Sequence, residues 1–367
     1  LTFTVRPLRD LGKATVKVEA IGPVAPDNVE VRKVRFLAAR PHYVGQYRYR
    51  IVPDILDRWE SGPLAAGENA RFWLTLRVPE TARPGQYRGR IVFTADGQSM
   101  EIPVLLRVVG VKLQEDPQHT YAIYYRHSLD QAFGAPDEAS RRYWERKAEL
   151  EHADMVAHGT RNVTLSCWFR EADEQGNFDT ADAFARLDTK LKLAERFGFQ
   201  PPFVMGFNTG GIYYKHMKER FGSHLSGVKA PPEAFFAEIT AMVRTIEEER
   251  KRRGWPDFVY YPIDEPSASP EAVAFMVGVL KAVRAAGVRT YVTADPTNAG
   301  FEPMRPFVDV WCTQPFLPER DVLLADMKAR SVEYWCYPNH INGENDHTPV
   351  AGARMTYGFG YWRSGFL

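Results

Sequence analysis

The feature that most constrains this chain is a change of hydrophobic period near residue 114. Before it, apolar and polar residues alternate in short runs, as in Phe72-Trp73-Leu74-Thr75-Leu76-Arg77-Val78 and Tyr87-Arg88-Gly89-Arg90-Ile91-Val92-Phe93-Thr94. A period of two is that of a half-buried strand. Pro84-Gly85 and Asp96-Gly97 supply turn residues around these runs, and residues 100–108 continue the antiparallel series. Short strands without a convincing helix predict an all-β sandwich over residues 1–113. The polar, proline-containing stretch Gln114-Glu115-Asp116-Pro117-Gln118 marks its end.

From residue 119 apolar strands alternate with long amphipathic helices. Strands are expected at 121–125, 162–168, 202–207, 258–263, 290–293, 308–313 and 332–337, and helices at about 138–158, 181–197, 232–253, 270–286 and 319–330. Gly159, Gly198 and Gly287 stand where left-handed helix caps are needed. Such alternation predicts an α/β domain over 119–367, a (β/α)8 TIM-type barrel of the usual size of about 250 residues. A doubly wound sheet is the rival, but no GxGxxG or GxxxxGK[ST] follows a strand. The eighth strand has no clear place. Residues 353–367 either contain it or form the last helix before it, and the apolar ending Tyr361-Trp362-Arg363-Ser364-Gly365-Phe366-Leu367 favours a strand missing from this chain. An open barrel has two unpaired edges, so a closing C-terminal segment or an oligomeric partner is expected to complete it.

Composition narrows the chemistry. Lys+Arg 47 against Asp+Glu 46 leaves a net charge of +1, which gives no field for binding nucleic acid. No apolar run nears the roughly 20 residues of a membrane span. Cys167, Cys312 and Cys336 are scattered, with neither a disulfide framework nor a CxxC pair. His340 and His347, with Glu344 and Asp346 nearby, match no metal-ligand spacing, so neither metal nor other cofactor is expected.

In a barrel the chemistry gathers at the carboxyl ends of the strands. The fourth strand runs into Asp264-Glu265-Pro266, the one strand end with two adjacent carboxylates. Such a pair is costly to keep half-buried unless it is hydrogen-bonded or used; the bland reading is a helix cap or an ion pair. Other strand ends carry Trp168, Asn208, Asp295, Trp311, Gln314, Trp335, Tyr337 and Asn339. Aromatic faces suit the C–H face of a sugar, and amides and phenols suit its hydroxyls, so these are candidate substrate-binding residues for a glycan. Alternation decides to which side of the sheet Trp311 and Trp335 point, and barrel filling is an equal reading for both. A two-carboxylate retaining mechanism would want a second acid after strand seven, where the chain reads Tyr337-Pro338-Asn339-His340 and reaches no carboxylate until Glu344. Adjacent acids fit instead a sugar whose own 2-acetamido oxygen is the nucleophile.

Taken together, Val78-Pro79-Glu80-Thr81-Ala82-Arg83-Pro84-Gly85-Gln86-Tyr87-Arg88-Gly89, Asp264-Glu265-Pro266 and Tyr357-Gly358-Phe359-Gly360-Tyr361-Trp362-Arg363-Ser364-Gly365 resemble glycoside hydrolase family 123 and its relatives, over nearly the whole chain. Tyr43-Val44-Gly45 and Val52-Pro53-Asp54-Ile55-Leu56 are similar to its sandwich domain. The resemblance implies a β-N-acetylgalactosaminidase working by substrate-assisted retention, with Glu265 as general acid/base and Asp264 orienting the acetamido group. By analogy Tyr337 bonds the acetamido oxygen. Two other readings stay open: a glycosidase of different specificity pairing Glu265 with a distant carboxylate such as Asp295, and a non-catalytic carbohydrate-binding protein on an incomplete barrel.

Overall fold

The computed structural model describes residues 1–39, 49–112, 119–313 and 320–337. Contacts divide the chain into two compact units, the first Leu1–Glu115 and the second beginning at Asp116. The first holds β1 (Thr2–Val5), β2 (Leu11–Val18), β3 (Val29–Ala39), β4 (Arg50–Arg58), β5 (Ser61–Leu64), β6 (Ala70–Leu76), β7 (Gly85–Ala95) and β8 (Gln98–Val108). They form two antiparallel sheets, β1-β6-β3-β4 and β5-β2-β7-β8. Alternation is visible in β6, where Ala70, Phe72 and Leu74 are buried, and in β7, where Ile91, Phe93 and Ala95 are. Phe72 is the centre of this core, within 5.1 Å of the Phe3 ring and 5.5 Å of the Trp59 ring. Asp96-Gly97 closes the β7–β8 hairpin with both residues at positive φ (49° and 76°), as a two-residue turn of matching twist requires.

The second unit contains β9 (Tyr121–Ile123), β10 (Thr160–Val163), β11 (Leu165–Cys167), β12 (Phe203–Phe207), β13 (Phe258–Tyr261), β14 (Arg289–Thr293), β15 (Val310–Thr313) and β16 (Glu333–Cys336). Every pair is parallel: β9 pairs with β10, and from β11 to β16 each strand lies beside the next in sequence. The order never reverses, unlike that of a doubly wound sheet. The second expected strand is broken at Thr164, which donates its N–H to Ile123 O (3.2 Å) and accepts from Tyr125 N–H on its hydroxyl (3.2 Å). β9 pairs with β10 and β12 with β11, so the two halves continue one another.

Helices α1 (Ser128–Phe133) and α2 (Glu138–Ala157) follow β9. Then come α3 (Ala181–Arg196) after β11, α4 (Thr209–Met217) and α5 (Glu233–Arg253) after β12, α6 (Pro270–Arg284) after β13 and α7 (Arg320–Ala329) after β15. The short α1 and α4 carry too few turns for a clear periodic signal in the sequence. One face of the sheet, with Met205, Tyr260, Val292 and Trp311, packs on apolar helix residues such as Leu187, Ile239, Val243 and Met276. Each such fully buried side chain contributes about 1.5–3 kcal/mol. The opposite face gathers Val204, Val259, Tyr261, Tyr291, Cys312, Trp335 and Tyr337. Residues 353–367, where a closing strand was sought, lie outside the described residues. Among the described residues no helix is long and apolar enough to cross a membrane.

Candidate active site

The site begins with the alternation of β13. Phe258 and Tyr260 face the helices, which sends Val259 and Tyr261 to the opposite face. Pro262 then ends the strand, and Ile263-Asp264-Glu265 leaves the sheet at its carboxyl end. Asp264 is exposed, and the Glu265 side chain is 38% exposed.

Hydroxyl groups hold both acids. The Tyr261 phenol donates to Asp264 Oδ1 and lies 2.9 Å from Thr293 Oγ1, which is 3.2 Å from the same Oδ1. Thr293 Oγ1 also accepts the Glu265 N–H at 2.7 Å. The Tyr337 phenol donates to Glu265 Oε1 at 2.8 Å. From the other side, His224 Nδ1 donates to Glu265 O at 2.7 Å and lies 3.9 Å from Glu265 Oε2. Three strands and one loop thus converge on two consecutive residues.

Burial sets the state of the phenols. Tyr261 is pushed well above its ordinary range by burial, then by Tyr124 and by its bond to Asp264. Tyr337 is raised by burial and by its bond to Glu265. Tyr124 exposes 55% of its surface, but its hydroxyl lies among Tyr261 and Tyr291, and burial pushes it up to about 12. All three are therefore neutral hydrogen-bond donors at ordinary pH. The rings run on through Tyr291, 4.9 Å from Tyr261, to Trp335, 5.6 Å from Tyr291. Tyr124, Tyr291, Trp335 and Tyr337 line a cavity of about 310 Å³ that includes the Cys312 surface.

The remaining expected site residues separate. Trp335 is on the cavity face, with Nε1 donating to Glu333 Oε2 at 2.9 Å. Trp311 requires a correction: it is 1% exposed on the helix-facing side, where alternation along β15 puts it, and it cannot meet a ligand at the mouth. Trp168 stands 59% exposed just past β11. Asn208 caps α4, accepting Gly211 N–H at 3.0 Å, and its amide donates to Phe169 O and Glu171 Oε1, both at 3.2 Å. Asp295 closes its own turn, accepting from Thr297 N–H (2.9 Å) and Thr297 Oγ1 (2.7 Å). Gln314 and Asn339 lie outside the described residues, as do His340, Glu344, Asp346 and His347.

Sequence reasoning missed Tyr261, Thr293, His224 and Glu171. Strand alternation carries the signal for the first two, since Tyr261 and Thr293 share the face of the chemistry. His224 has none, because it meets Glu265 across 41 residues through a turn. Glu171 sits above the start of α4, where a Cβ on Gly211 would come within 2.1 Å of its Oε1; glycine there makes the approach possible. Among the described residues no group of three or more His, Cys, Asp and Glu is placed to hold a metal ion. The cysteines are free, and burial pushes the Cys167 and Cys312 thiols up to about 12, away from nucleophilic use.

No family model matches the chain, and no curated protein matches it. Solved structures do. A family 123 glycoside hydrolase from Clostridium perfringens, studied for glycolipid glycan hydrolysis, superposes over 99% of this chain and 70% of its own, with a TM-score of 0.73 at 12% identity. The resemblance drawn from the sequence is thus met in the fold. A glycosyl hydrolase family 2 member from Bacteroides cellulosilyticus covers 99% of this chain and 43% of its own at 11% identity, and its TM-score of 0.35 carries no argument.

Proposed function

We propose that this chain is a retaining glycoside hydrolase that removes terminal β-linked N-acetylgalactosamine, or a similar 2-acetamido sugar, by substrate-assisted catalysis. The observation that carries the reading is the partner chemistry of Asp264 and Glu265. Adjacent at one strand end, they take their hydrogen bonds from Tyr261, Thr293 and Tyr337 rather than from lysine or arginine among the described residues. The fold likeness to a family 123 enzyme supports the same chemistry.

In this reading the acetamido carbonyl oxygen attacks the anomeric carbon while the bond to the leaving oxygen breaks, and Glu265 gives its proton to that oxygen. Both hydrogen bonds to Asp264 fall on Oδ1, which leaves Oδ2 to accept the acetamido N–H and aim the nucleophile. The Tyr337 phenol turns from Glu265 to the acetamido oxygen. Water then opens the resulting ring with Glu265 as base, and two inversions give net retention. In the competing two-carboxylate reading the partner would be Asp295, whose Oδ1 closes its own turn by accepting from Thr297 N–H and Oγ1, so that its other oxygen would have to serve.

A panel of nitrophenyl glycosides with and without the 2-acetamido group tests the proposal. Turnover confined to the 2-acetamido sugars is expected. Equal rates on the 2-hydroxy analogue would reject substrate assistance, and binding of N-acetylated sugars without any turnover would favour a carbohydrate-binding protein.

A further inference from the structure

Glu265 occupies the left-handed backbone region at φ 41°, and His224 and Leu225, on the segment that contacts it, are left-handed as well at 55° and 62°. Residues with a β-carbon hold such conformations only at a cost, and they persist where the surroundings over-determine them. Six non-glycine residues among those described have positive φ, and half of them fall in these two segments. The strain is therefore concentrated at the candidate acid.

The contacts show what sustains it. Glu265 N–H is taken by Thr293 Oγ1 at 2.7 Å, and Glu265 O by His224 Nδ1 at 2.7 Å. Because a carbonyl oxygen can only accept, Nδ1 carries the proton in this pair. The turn bearing His224 is held through its backbone as well: Ser267 N–H, two residues past Glu265, donates to His224 O at 3.0 Å, and Leu225 is 2% exposed within the core. The His224 side chain is itself 58% exposed, so packing does not explain it. Its one hydrogen bond among the described residues is to the carbonyl of the residue whose carboxyl meets Tyr337.

We infer that His224 is a positioning residue for Glu265: its Nδ1–H holds the Glu265 carbonyl, keeps that residue left-handed and so presents the carboxyl to Tyr337 and the mouth. The consequence for rate rests on the reading of Glu265 as the acid; the consequence for geometry does not. Two variants separate the side chain from the turn. His224→Gly removes the imidazole while leaving the left-handed turn unstrained, and His224→Asn tolerates the same conformation and restores a donor.

Crystal structures and kinetics of the full chain decide the matter, with thermal melting as the check that each variant folds. In the glycine variant Glu265 is expected to leave the left-handed region and lose its contact with Tyr337. On nitrophenyl 2-acetamido glycosides kcat is expected to fall about 10- to 100-fold with KM within about twofold, the scale of a small misplacement of a catalytic group. The asparagine variant should recover both geometry and most of the rate. Glu265 unchanged in the glycine variant, or an asparagine variant as impaired as the glycine one, overturns the inference. If the wild-type chain hydrolyses no glycoside, the glycosidase reading fails and the crystallographic comparison alone decides the role of His224.

Discussion

Glu249, on α5, is held by Arg252 at 2.6 Å and by Arg253; Asp264 and Glu265, one strand further on, are held by Tyr261, Thr293 and Tyr337. The difference lies in charge. Two guanidiniums neutralise Glu249 and, led by Arg252, hold its carboxyl down at about 2, so it stays ionised at neutral and mildly acidic pH. The phenols and the threonine fix the position of Asp264 and Glu265 without supplying a positive charge. A carboxylate oriented but not neutralised retains its capacity to give, take or attract a proton, and that is the requirement for acid–base work. Lys215 and His216 converge on the buried Glu238 in the manner of the first arrangement, at 2.7 and 2.8 Å, and Glu238 in turn accepts Ala172 N–H at 2.8 Å, fixing the loop after β11. One unit therefore uses cation pairing for architecture and hydroxyl pairing for the candidate chemistry.

The largest effect is expected from Glu265→Gln, which keeps the shape and the Tyr337 contact but cannot transfer a proton. Hydrolysis of substrates with poor leaving groups should fall about 10²- to 10⁴-fold, while activated aryl glycosides suffer less, as steady-state kinetics on the two substrate types will show. Uniform loss on both would remove Glu265 from the acid role. Next comes Asp264→Asn, expected to slow every 2-acetamido substrate by about 10²-fold whatever its leaving group, because the nucleophile loses its alignment. A normal rate would make Asp264 as architectural as Glu249. Tyr337→Phe, which deletes only the donor, should reduce kcat by about tenfold or less, the value of one ordinary hydrogen bond of about 0.5–1.5 kcal/mol.

How far all this could be read from the sequence follows from the distance over which each interaction acts. Strands β9 to β16 were legible because their apolar runs are local, as were the caps at Gly159, Gly198 and Gly287, which sit at φ 85°, 72° and 78°. The Asp264-Glu265 pair was legible because both residues share one strand end. Tyr337 was also named from its strand end, but its bond to Glu265 and the part played by Thr293 were not legible: the two reach Glu265 across 72 and 28 residues, and only parallel pairing brings them together. Trp311 was misplaced because a one-residue change of register exchanges the two faces of a strand, and the sequence does not fix that register. Asn208 was found at a strand end, but its occupation by the α4 cap depends on Gly211 and Glu171 folding over it.

Acid sets a third arrangement beside the other two. His127 and His152 are buried with ring centroids 5.1 Å apart, and neither Nε2 has a hydrogen-bond partner. Burial, then Lys190 and His152, holds His127 down at about 2, and burial lowers His152. Both rings are neutral in the fold and take up protons on unfolding below their ordinary value of about 6.5. The stability they support is therefore complete above about pH 6.5 and declines as pH falls, by up to about 1.4 kcal/mol per pH unit for each ring. Melting temperature followed from pH 8 to pH 5 should show this decline before any carboxylate titrates. His127→Asn, which can still accept the Leu129 N–H at the start of α1 but never charges, should reduce the slope to the share of His152 alone, about half. An unchanged slope in that variant would assign the acid sensitivity elsewhere.

The smallest effect is expected from Glu249→Gln, and it tests the comparison from its quieter side. The change leaves Arg252, whose side chain is 65% exposed, and Arg253 with a neutral acceptor, and screening of the exposed guanidinium by water limits what the pair contributes. Among the described residues the partners of Glu249 are Arg252 and Arg253, three and four positions along its own helix. If cation pairing is only architecture, kcat/KM on 2-acetamido glycosides should stay within about twofold of wild type, since distant independent sites contribute separately. A tenfold loss with an unchanged melting temperature would mean that the arginine-held carboxylates also set the field at Asp264 and Glu265, and the division of labour between the two kinds of acid would collapse.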